Sequence, residues 1–462
     1  MTFFIYKFGI IIENIILKLN NILKYFYKRK AIMFWQKEIE LMSVNDLRKF
    51  QLEAVNKQIT TAKKSSFYKN RLKNIDKINS LKEMENLPFT TKQDLRDSFP
   101  YGCLAVDLQN VVRLHSSSGT TGNPTVVFHT KEDLSNWANI SARCMYCAGA
   151  RNTDIFQNTM GYGLFSGGLG FHYGGERLGM LTIPVGPGNS KRQVWFMKNF
   201  KTSVVHILPS YALRLHNTIK EMNVDIKKDL NLKIFFIGAE PHSEAMRQKI
   251  EQLYSVKAYN SYGLSEISGP GIAFECKCQS GLHIWEDYVY PEIVDPETLK
   301  PLPDGEEGEL VLTTLQRQAM PLIRYRTRDL TKIISEPCTC GRTHRRIARI
   351  TARTDDMMII NGVNIFPIQI EKTILSIPEA GRNYMIEIFE QNCMDKLRVK
   401  LEVNNDTFSG TLQDLEKLQD KLVNELKQEI GVTPIVKFVD SGSLPVSEGK
   451  AKRVIDLRDK NK

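Results

Sequence analysis

Between Val204 and Asn260 the chain repeats one unit: a short apolar strand, a tight turn, then a helical stretch. VVHIL (204–208) stops at Pro209-Ser210 and is followed by YALRLHNTIKEM. LKIFFI (232–237) runs into Gly238-Ala239-Glu240-Pro241, with another helical stretch from about Ser243, and Val256–Asn260 is the next strand candidate. This alternation predicts a parallel α/β sheet, whose ligands sit at the carboxyl ends of the strands. With 462 residues the chain exceeds one ordinary core, so two or more domains are expected.

The pattern changes beyond Glu286. Pro291, Pro296, Pro301, Pro303 and Asp304-Gly305 mark turns, and GELVLTTL reads as an antiparallel strand, which predicts a β-rich subdomain. A boundary is expected near Arg353–Asp355. After it come a helix from about Pro367, strands near Tyr384–Phe389 and Leu397–Val403, a helix over Thr411–Ile430 and a strand at Ile435–Val439. These make a compact α+β unit. The expected division is an N-terminal extension (1–30), a large α/β domain (31–353) and a small C-terminal domain (354–462).

Hydrophobic residues at 42% and charged residues at 25% are ordinary for a soluble globular protein. The net charge of +11 is unevenly placed. Lys7, Lys18, Lys24, Lys28, Arg29 and Lys30 stand against Glu13 alone in the first thirty residues, a net of +5. The remainder is mildly basic, which suits nucleotide phosphates and does not call for a nucleic-acid partner. Ile11, Ile12, Ile15, Ile16 and Leu19 repeat at helical spacing, so 1–30 is expected to form an amphipathic helix. Three readings are open for it: weak membrane-surface contact, packing on the protein itself, or an extension from a misassigned start, with Met33 as the alternative start. Its charges interrupt every apolar run short of the roughly 20 residues a membrane span needs, and no small-residue cleavage site follows it. Eight cysteines in a chain this long, two pairs of them in C-x-C spacing, give no disulfide framework; a cytoplasmic protein is expected.

Four strings carry chemistry. Ser116-Ser117-Ser118-Gly119-Thr120-Thr121-Gly122-Asn123-Pro124-Thr125 is dense in glycine and hydroxyls, so its backbone can approach a polyphosphate and offer N–H and O–H donors. It lacks the Gly-Lys-Ser/Thr of a Walker A loop, and its bland reading is a flexible turn. Tyr262-Gly263-Leu264-Ser265-Glu266 follows a strand candidate and can stack an aromatic on a base while presenting a carboxylate to Mg²⁺; the rival is a plain strand–helix turn. In Arg324-Tyr325-Arg326-Thr327-Arg328-Asp329 an Asp can accept from ribose hydroxyls and an Arg can hold phosphate, but a solvated charged turn explains the string by itself. Leu444-Pro445-Val446-Ser447-Glu448-Gly449-Lys450 ends on a lysine free to reach into a cleft, as many surface lysines are.

SSSGTTGNPT, GAEP, YGLSE, RYRTRD, RTDDMMIINGVNIFP and LPVSEGKAKRVID occur in the order seen in adenylate-forming ligases, which the chain resembles from about Phe34 to Asp456. YGLSEISGPGIAFEC, GYGLFSGGLGFHYGGERLG and NGVNIFP are similar to phenylacetate–CoA ligases in particular. The resemblance implies a large N-terminal adenylate-forming domain with parallel sheets and a β-rich subdomain, capped by a small α+β lid. It implies ATP-dependent joining of phenylacetate or a related arylacetate to coenzyme A through an acyl-adenylate, as in phenylacetate catabolism. Under it, Ser116–Gly122 hold the β- and γ-phosphates. Gly238, Ala239, Glu240 and Pro241 line the adenine site, with Tyr262 and Gly263 beside it. Glu266 binds Mg²⁺, Asp329 takes the ribose hydroxyls and Arg353 supports the nucleotide. Lys450 stabilises charge as the carboxylate attacks the α-phosphate, and Asp355 lies at the lid hinge. A homodimer is implied as well. The alternative is an adenylyl-transferring enzyme of the deazaflavin-coenzyme type.

Two positions depart from the pattern. Asn123 stands where many members have Lys, and His242 where an aromatic is common, which leaves the acyl pocket open. That pocket is expected to draw on Tyr162–Gly170, with Tyr162, Phe165 and Gly168 singled out, since aromatic walls with glycine gaps suit a flat ring. A packed glycine-rich turn is the rival. Cys276 and His283 form one half of a candidate structural Zn²⁺ site and Cys338-Thr339-Cys340 the other; Cys278 can replace Cys276, and reduced buried cysteine is the alternative.

Overall fold

A computed structural model describes residues 34–116, 123–164, 166–240, 242–361, 363–391, 394–403, 410–440, 442–445 and 453–458. The basic N-terminal extension therefore lies outside the described residues. Among the described residues no helix is long and apolar enough to cross a membrane.

A nine-stranded sheet organises the larger part of the chain. In one half, Ile155–Asn158, Leu181–Ile183, Val204–Ile207, Ile234–Gly238 and Lys257–Tyr262 run parallel. Their fully buried Val204, Val205, Ile207, Phe235, Phe236 and Ile237 explain the continuous apolar runs, because helices cover both faces. In the other half, Ala273–Glu275, Leu282–Ile284, Arg346–Ile347 and Ile333–Ile334 pair antiparallel. Pro209-Ser210, which ends the preceding apolar run, opens the Pro209–Glu221 helix, where proline's missing N–H costs nothing.

Two smaller sheets flank this one. Val289–Val294, Gly308–Thr314, Tyr325–Thr331 and Ala352–Arg353 form the antiparallel β-rich sheet. Val111–Ser116 and Val126–Thr130 pair as a ribbon on either side of the Ser/Gly loop.

The C-terminal part has its own core of Met358, Ile360, Ile365, Ile370, Ile374, Ile386, Val399, Leu418, Leu422 and neighbours. Ala380–Gln391 and Met394–Val403 pair antiparallel, with Ile435–Val439 and Val454–Asp456 parallel at the two edges. The Leu412–Ile430 helix covers them through Leu418, Leu422, Leu426 and Ile430, a stripe at every fourth residue, and ends at Gly431 with φ +71°. The Pro367–Ser376 helix lies against the Glu244–Tyr254 helix of the larger part.

Candidate active site

The five parallel strands end at one edge of the sheet, and the turns after three of them carry candidate residues. The Ile234–Gly238 strand ends where a Cβ on Gly238 would sit 2.3 Å from Ser261 O, so only glycine fits beside the next strand. Ala239 follows at φ +64°, an uncommon conformation for a residue with a side chain. The Glu240 carboxylate accepts from Ser210 N at 2.6 Å and Ser210 Oγ at 3.0 Å, tying this turn to the one before it. His242 is buried, accepts at Nε2 from Arg349 Nη1 (2.8 Å) and donates from Nδ1 to Glu240 O (3.2 Å). Burial and the Arg349 charge push its pKa down to about 3, so it is neutral. It thus holds the turn rather than presenting a ring to a substrate.

The next turn meets the β-rich sheet. Tyr262 donates from its hydroxyl to Asp329 Oδ2 at 2.6 Å, and Arg353 Nη1 donates to Asp329 Oδ1 at 2.6 Å. Arg353 also grips Asp355, Nε to Oδ1 at 2.9 Å and Nη2 to Oδ2 at 3.0 Å. Burial and the Asp329 carboxylate hold the Tyr262 phenol well above its ordinary range. Asp329 pairs in register with Arg353 on the neighbouring strand, which is what brings the RYRTRD and RTDD strings together. Glu266 is 5% exposed, with Lys92 Nζ 3.5 Å from Oε1 and the Tyr325 hydroxyl close by. Lys92 carried no signal in the sequence, and Tyr325 stood only within the RYRTRD string; the fold sets both against Glu266.

Two of the three arginines in the RYRTRD string are occupied. Arg324 is buried 2.9 Å from Glu292, and Arg326 Nη2 lies 2.6 Å from Glu309 Oε2. Both hold the β-rich sheet together.

Ser116 donates its N–H to Leu164 O at 2.9 Å, and Ser166 Oγ lies 2.9 Å from Ser265 Oγ. The two turns thereby close around the start of the Ser/Gly loop. Ser117, Ser118, Gly119, Thr120, Thr121, Gly122, Phe165, Pro241 and Lys450 lie outside the described residues. Tyr162 is half-buried, its hydroxyl 3.3 Å from His172 Nδ1. A Cβ on Gly168 would meet Gly161 O at 2.4 Å, so this glycine is required by packing; one on Gly161 would meet nothing within 4 Å.

Away from the cleft, ligand atoms of Cys276, His283, Cys338 and Cys340 all lie within 4.8 Å of one another, and all four residues are buried. Cys276 Sγ is 3.7 Å from Cys338 Sγ, and Cys340 Sγ is 3.3 Å from His283 Nε2. Ligands about 2.3 Å from a tetrahedral Zn²⁺ stand about 3.8 Å apart, close to these separations. His283 Nδ1 lies 3.0 Å from His344 O, which turns Nε2 toward the thiols. The Cys340 thiol is shifted down, chiefly by a hydrogen bond from Cys276. Cys278 is exposed, 3.1 Å from Thr339 Oγ1, and stands outside the cluster.

The fold and the cleft define a two-part AMP-binding enzyme. Residues 43–317 match the AMP-binding enzyme family, and residues 362–458 match the AMP-binding enzyme C-terminal domain. The phenylacetate–coenzyme A ligase of Thermus thermophilus is 42% identical over 92% of this chain and 100% of its own length. A 2-hydroxyisobutyryl-CoA ligase, solved with 2-HIB-AMP in its postadenylation state, matches with TM-score 0.86 at 27% identity, over 92% of this chain and 93% of that one. The same enzyme with CoA in its thioesterification state, at the same coverage and 28% identity, scores 0.68. One sequence underlies both comparisons, so the difference reflects arrangement: the present structure lies nearer the postadenylation form. The chain belongs to the phenylacetate–coenzyme A ligase family of AMP-binding enzymes.

Proposed function

We propose that this protein joins phenylacetate, or a closely related arylacetate, to coenzyme A through an enzyme-bound acyl-adenylate, converting ATP to AMP and pyrophosphate. The observation that carries this reading is the Tyr262–Asp329–Arg353 cluster at the open strand ends. It presents an aromatic ring, a carboxylate and a guanidinium together, as binding of adenosine requires.

In this reading the acid's carboxylate oxygen attacks the α-phosphate of ATP, and the bond to pyrophosphate breaks. Asp329 exchanges its hydrogen bonds from Tyr262 and Arg353 for those of the ribose hydroxyls. Gly238, Ala239, Glu240 and Pro241 pack on the adenine, with Tyr262 and Gly263 on its other side. Ser116–Gly122 donate to the β- and γ-phosphates, and Lys450 neutralises charge at the α-phosphate. Glu266 offers a hard carboxylate oxygen at the same strand ends, which fits Mg²⁺; the ion supplies charge neutralisation on the phosphates when bound. Tyr162 and Phe165 face the aryl ring. The thiol of CoA then attacks the acyl carbon and expels AMP, after the domain beyond residue 353 has turned.

The Cys276, His283, Cys338 and Cys340 cluster fits Zn²⁺ in donor type and spacing. Bound there, the ion closes the antiparallel half of the sheet; four protein ligands leave no open position for chemistry.

The test is pyrophosphate release and CoA consumption with ATP and Mg²⁺ across aryl and aliphatic acids. Turnover that peaks on arylacetates and consumes CoA in step with pyrophosphate is expected. Pyrophosphate release without CoA consumption would replace this reading with adenylyl transfer.

A further inference from the structure

The candidate nucleotide residues lie on three separate segments: the turn after Gly238, the Tyr262 strand end and the Asp329–Arg353 pair. One side chain ties the supports of these segments together. Arg349 stands between the Arg346–Ile347 and Ala352–Arg353 strands. Its backbone is fixed beside the strand that carries Asp329: Ala348 N–H donates to Lys332 O at 2.9 Å, and Thr351 N–H to Leu330 O at 3.0 Å. The side chain is 23% exposed and reaches from there to the ends of the parallel strands.

On one side, Arg349 Nη1 donates to His242 Nε2 at 2.8 Å. The other ring nitrogen faces Glu240 O, which only accepts, so Nδ1 carries the proton and Nε2 is the acceptor an arginine needs. On the other side, Nη2 donates to Glu244 Oε2 at 2.9 Å and lies 3.5 Å from Glu275 Oε1. Glu275 is 3% exposed, and its Oε2 accepts from the Asn260 N–H at 2.8 Å, two residues ahead of Tyr262. A buried carboxylate needs an opposite charge, and among the described residues Arg349 is its ion-pair partner. Strand pairing fixes the backbones only as far as Gly238 and Ser261, which stand in register. The turn beyond Gly238 leaves the ladder, with Ala239 at φ +64°. Its shape depends on side-chain bonds: Glu240 to Ser210 on one side, His242 to Arg349 on the other.

We propose that Arg349 is a positioning residue for the nucleotide: acting through His242, it sets the Glu240 turn against the Tyr262–Asp329–Arg353 cluster, so that adenine and ribose are met together. This rests on the reading of that turn and that cluster as the adenosine site. A turn that holds its binding shape only part of the time lowers affinity by that fraction. Losing one hydrogen bond that keeps the shape corresponds to about fivefold.

The experiment is calorimetric titration of the full-length protein with ATP in the absence of acid. Arg349→Met keeps the stem and removes the donors. It should raise the Kd for ATP about fivefold. The Kd for phenylacetyl-adenylate should rise by the same factor, because both ligands present the same adenosine, while the KM for CoA stays within about twofold. His242→Phe removes the acceptor and should act alike. Because the two residues work in series, Arg349→Met with His242→Phe should bind ATP no worse than the weaker single variant. Arg349→Lys, which keeps the charge, serves if Arg349→Met does not fold and should lie between wild type and His242→Phe. An ATP Kd unchanged by these substitutions overturns the proposal, as does an equal rise in the KM for CoA or a double variant whose effect is the product of the two. A wild-type protein that binds no ATP overturns the adenosine reading itself, and the role of Arg349 with it.

Discussion

On the parallel half of the nine-stranded sheet, the polar groups stand at open strand ends and are paired with one another. There the β-rich sheet meets it, and Asp329 accepts from Tyr262 and Arg353 at 2.6 Å each, bonds that the ribose hydroxyls replace in the proposed reaction. On the antiparallel half, three thiols and an imidazole are buried with their ligand atoms within 4.8 Å of one another. The first cluster is satisfied and exchangeable; the second is built of groups whose strongest shared partner is a metal ion. A sheet that must bind and release a nucleotide keeps its exchangeable groups at the rim. A permanent clip belongs where strands are short, as Leu282–Ile284 and Arg346–Ile347 are.

That contrast breaks most sharply at the lysine of the C-terminal loop. If the rim is where charge develops, Lys450→Ala should slow adenylate formation roughly 100- to 1,000-fold, the range for removing one group that stabilises transition-state charge. Thioester formation from supplied acyl-adenylate should be spared. Equal loss in both half-reactions would remove Lys450 from the assigned role.

Asp329→Ala comes next in size. Hydrogen bonds to a charged group contribute about 1.5–3 kcal/mol, so kcat/KM for ATP should fall roughly 10- to 100-fold. The melting temperature should change little, because Arg353 keeps Asp355 at 2.9 Å. A large loss of stability with ATP binding intact would make the cluster a structural one.

The two halves also differed in how far they could be read in advance. The turns at the parallel strand ends are contiguous strings, because each strand, turn and helix is local in the chain; GAEP and YGLSE lie where the repeat predicts. The 367–439 elements were legible for the same reason, and the Ile435–Val439 strand falls at its expected limits. Pairings between distant segments were not. Nothing in RYRTRD shows that Arg324 and Arg326 belong to Glu292 and Glu309, since the alternation that decides it appears only when the strand is paired. Lys92 beside Glu266 is silent for the same reason. His242 read as a change in the acyl pocket; its partner Arg349 is 107 residues away and shows it to be a brace for the Glu240 turn. The cysteines were legible as ligand types, but the choice of Cys276 over Cys278 needed the fold to bury one and expose the other.

The clip predicts a smaller effect on activity than on stability. Cys338→Ser with Cys340→Ser should abolish stoichiometric zinc in elemental analysis and lower the melting temperature, with kcat within about a factor of two, because a closed four-ligand site has no open position for chemistry. Protein purified without chelators and free of zinc would show that the cluster is reduced cysteine, and a kcat collapse without a melting shift would tie it to the rim after all.

The smallest effects come from a pair of glycines that sharpen where the rim ends. At Gly168 an added Cβ would lie 2.4 Å from Gly161 O, a backbone atom that cannot step aside. Gly168→Ala should therefore lower stability by about 1–3 kcal/mol, the cost of overpacking, whatever acid is supplied. At Gly161 the added methyl meets nothing within 4 Å, so Gly161→Ala should melt within a degree or two of the wild type. If the space beside Tyr162 receives the aryl ring, that methyl should raise KM for the bulkier arylacetates more than for small aliphatic acids. A uniform KM across the acid panel would place the ring elsewhere and leave the glycine-rich segment as packing alone.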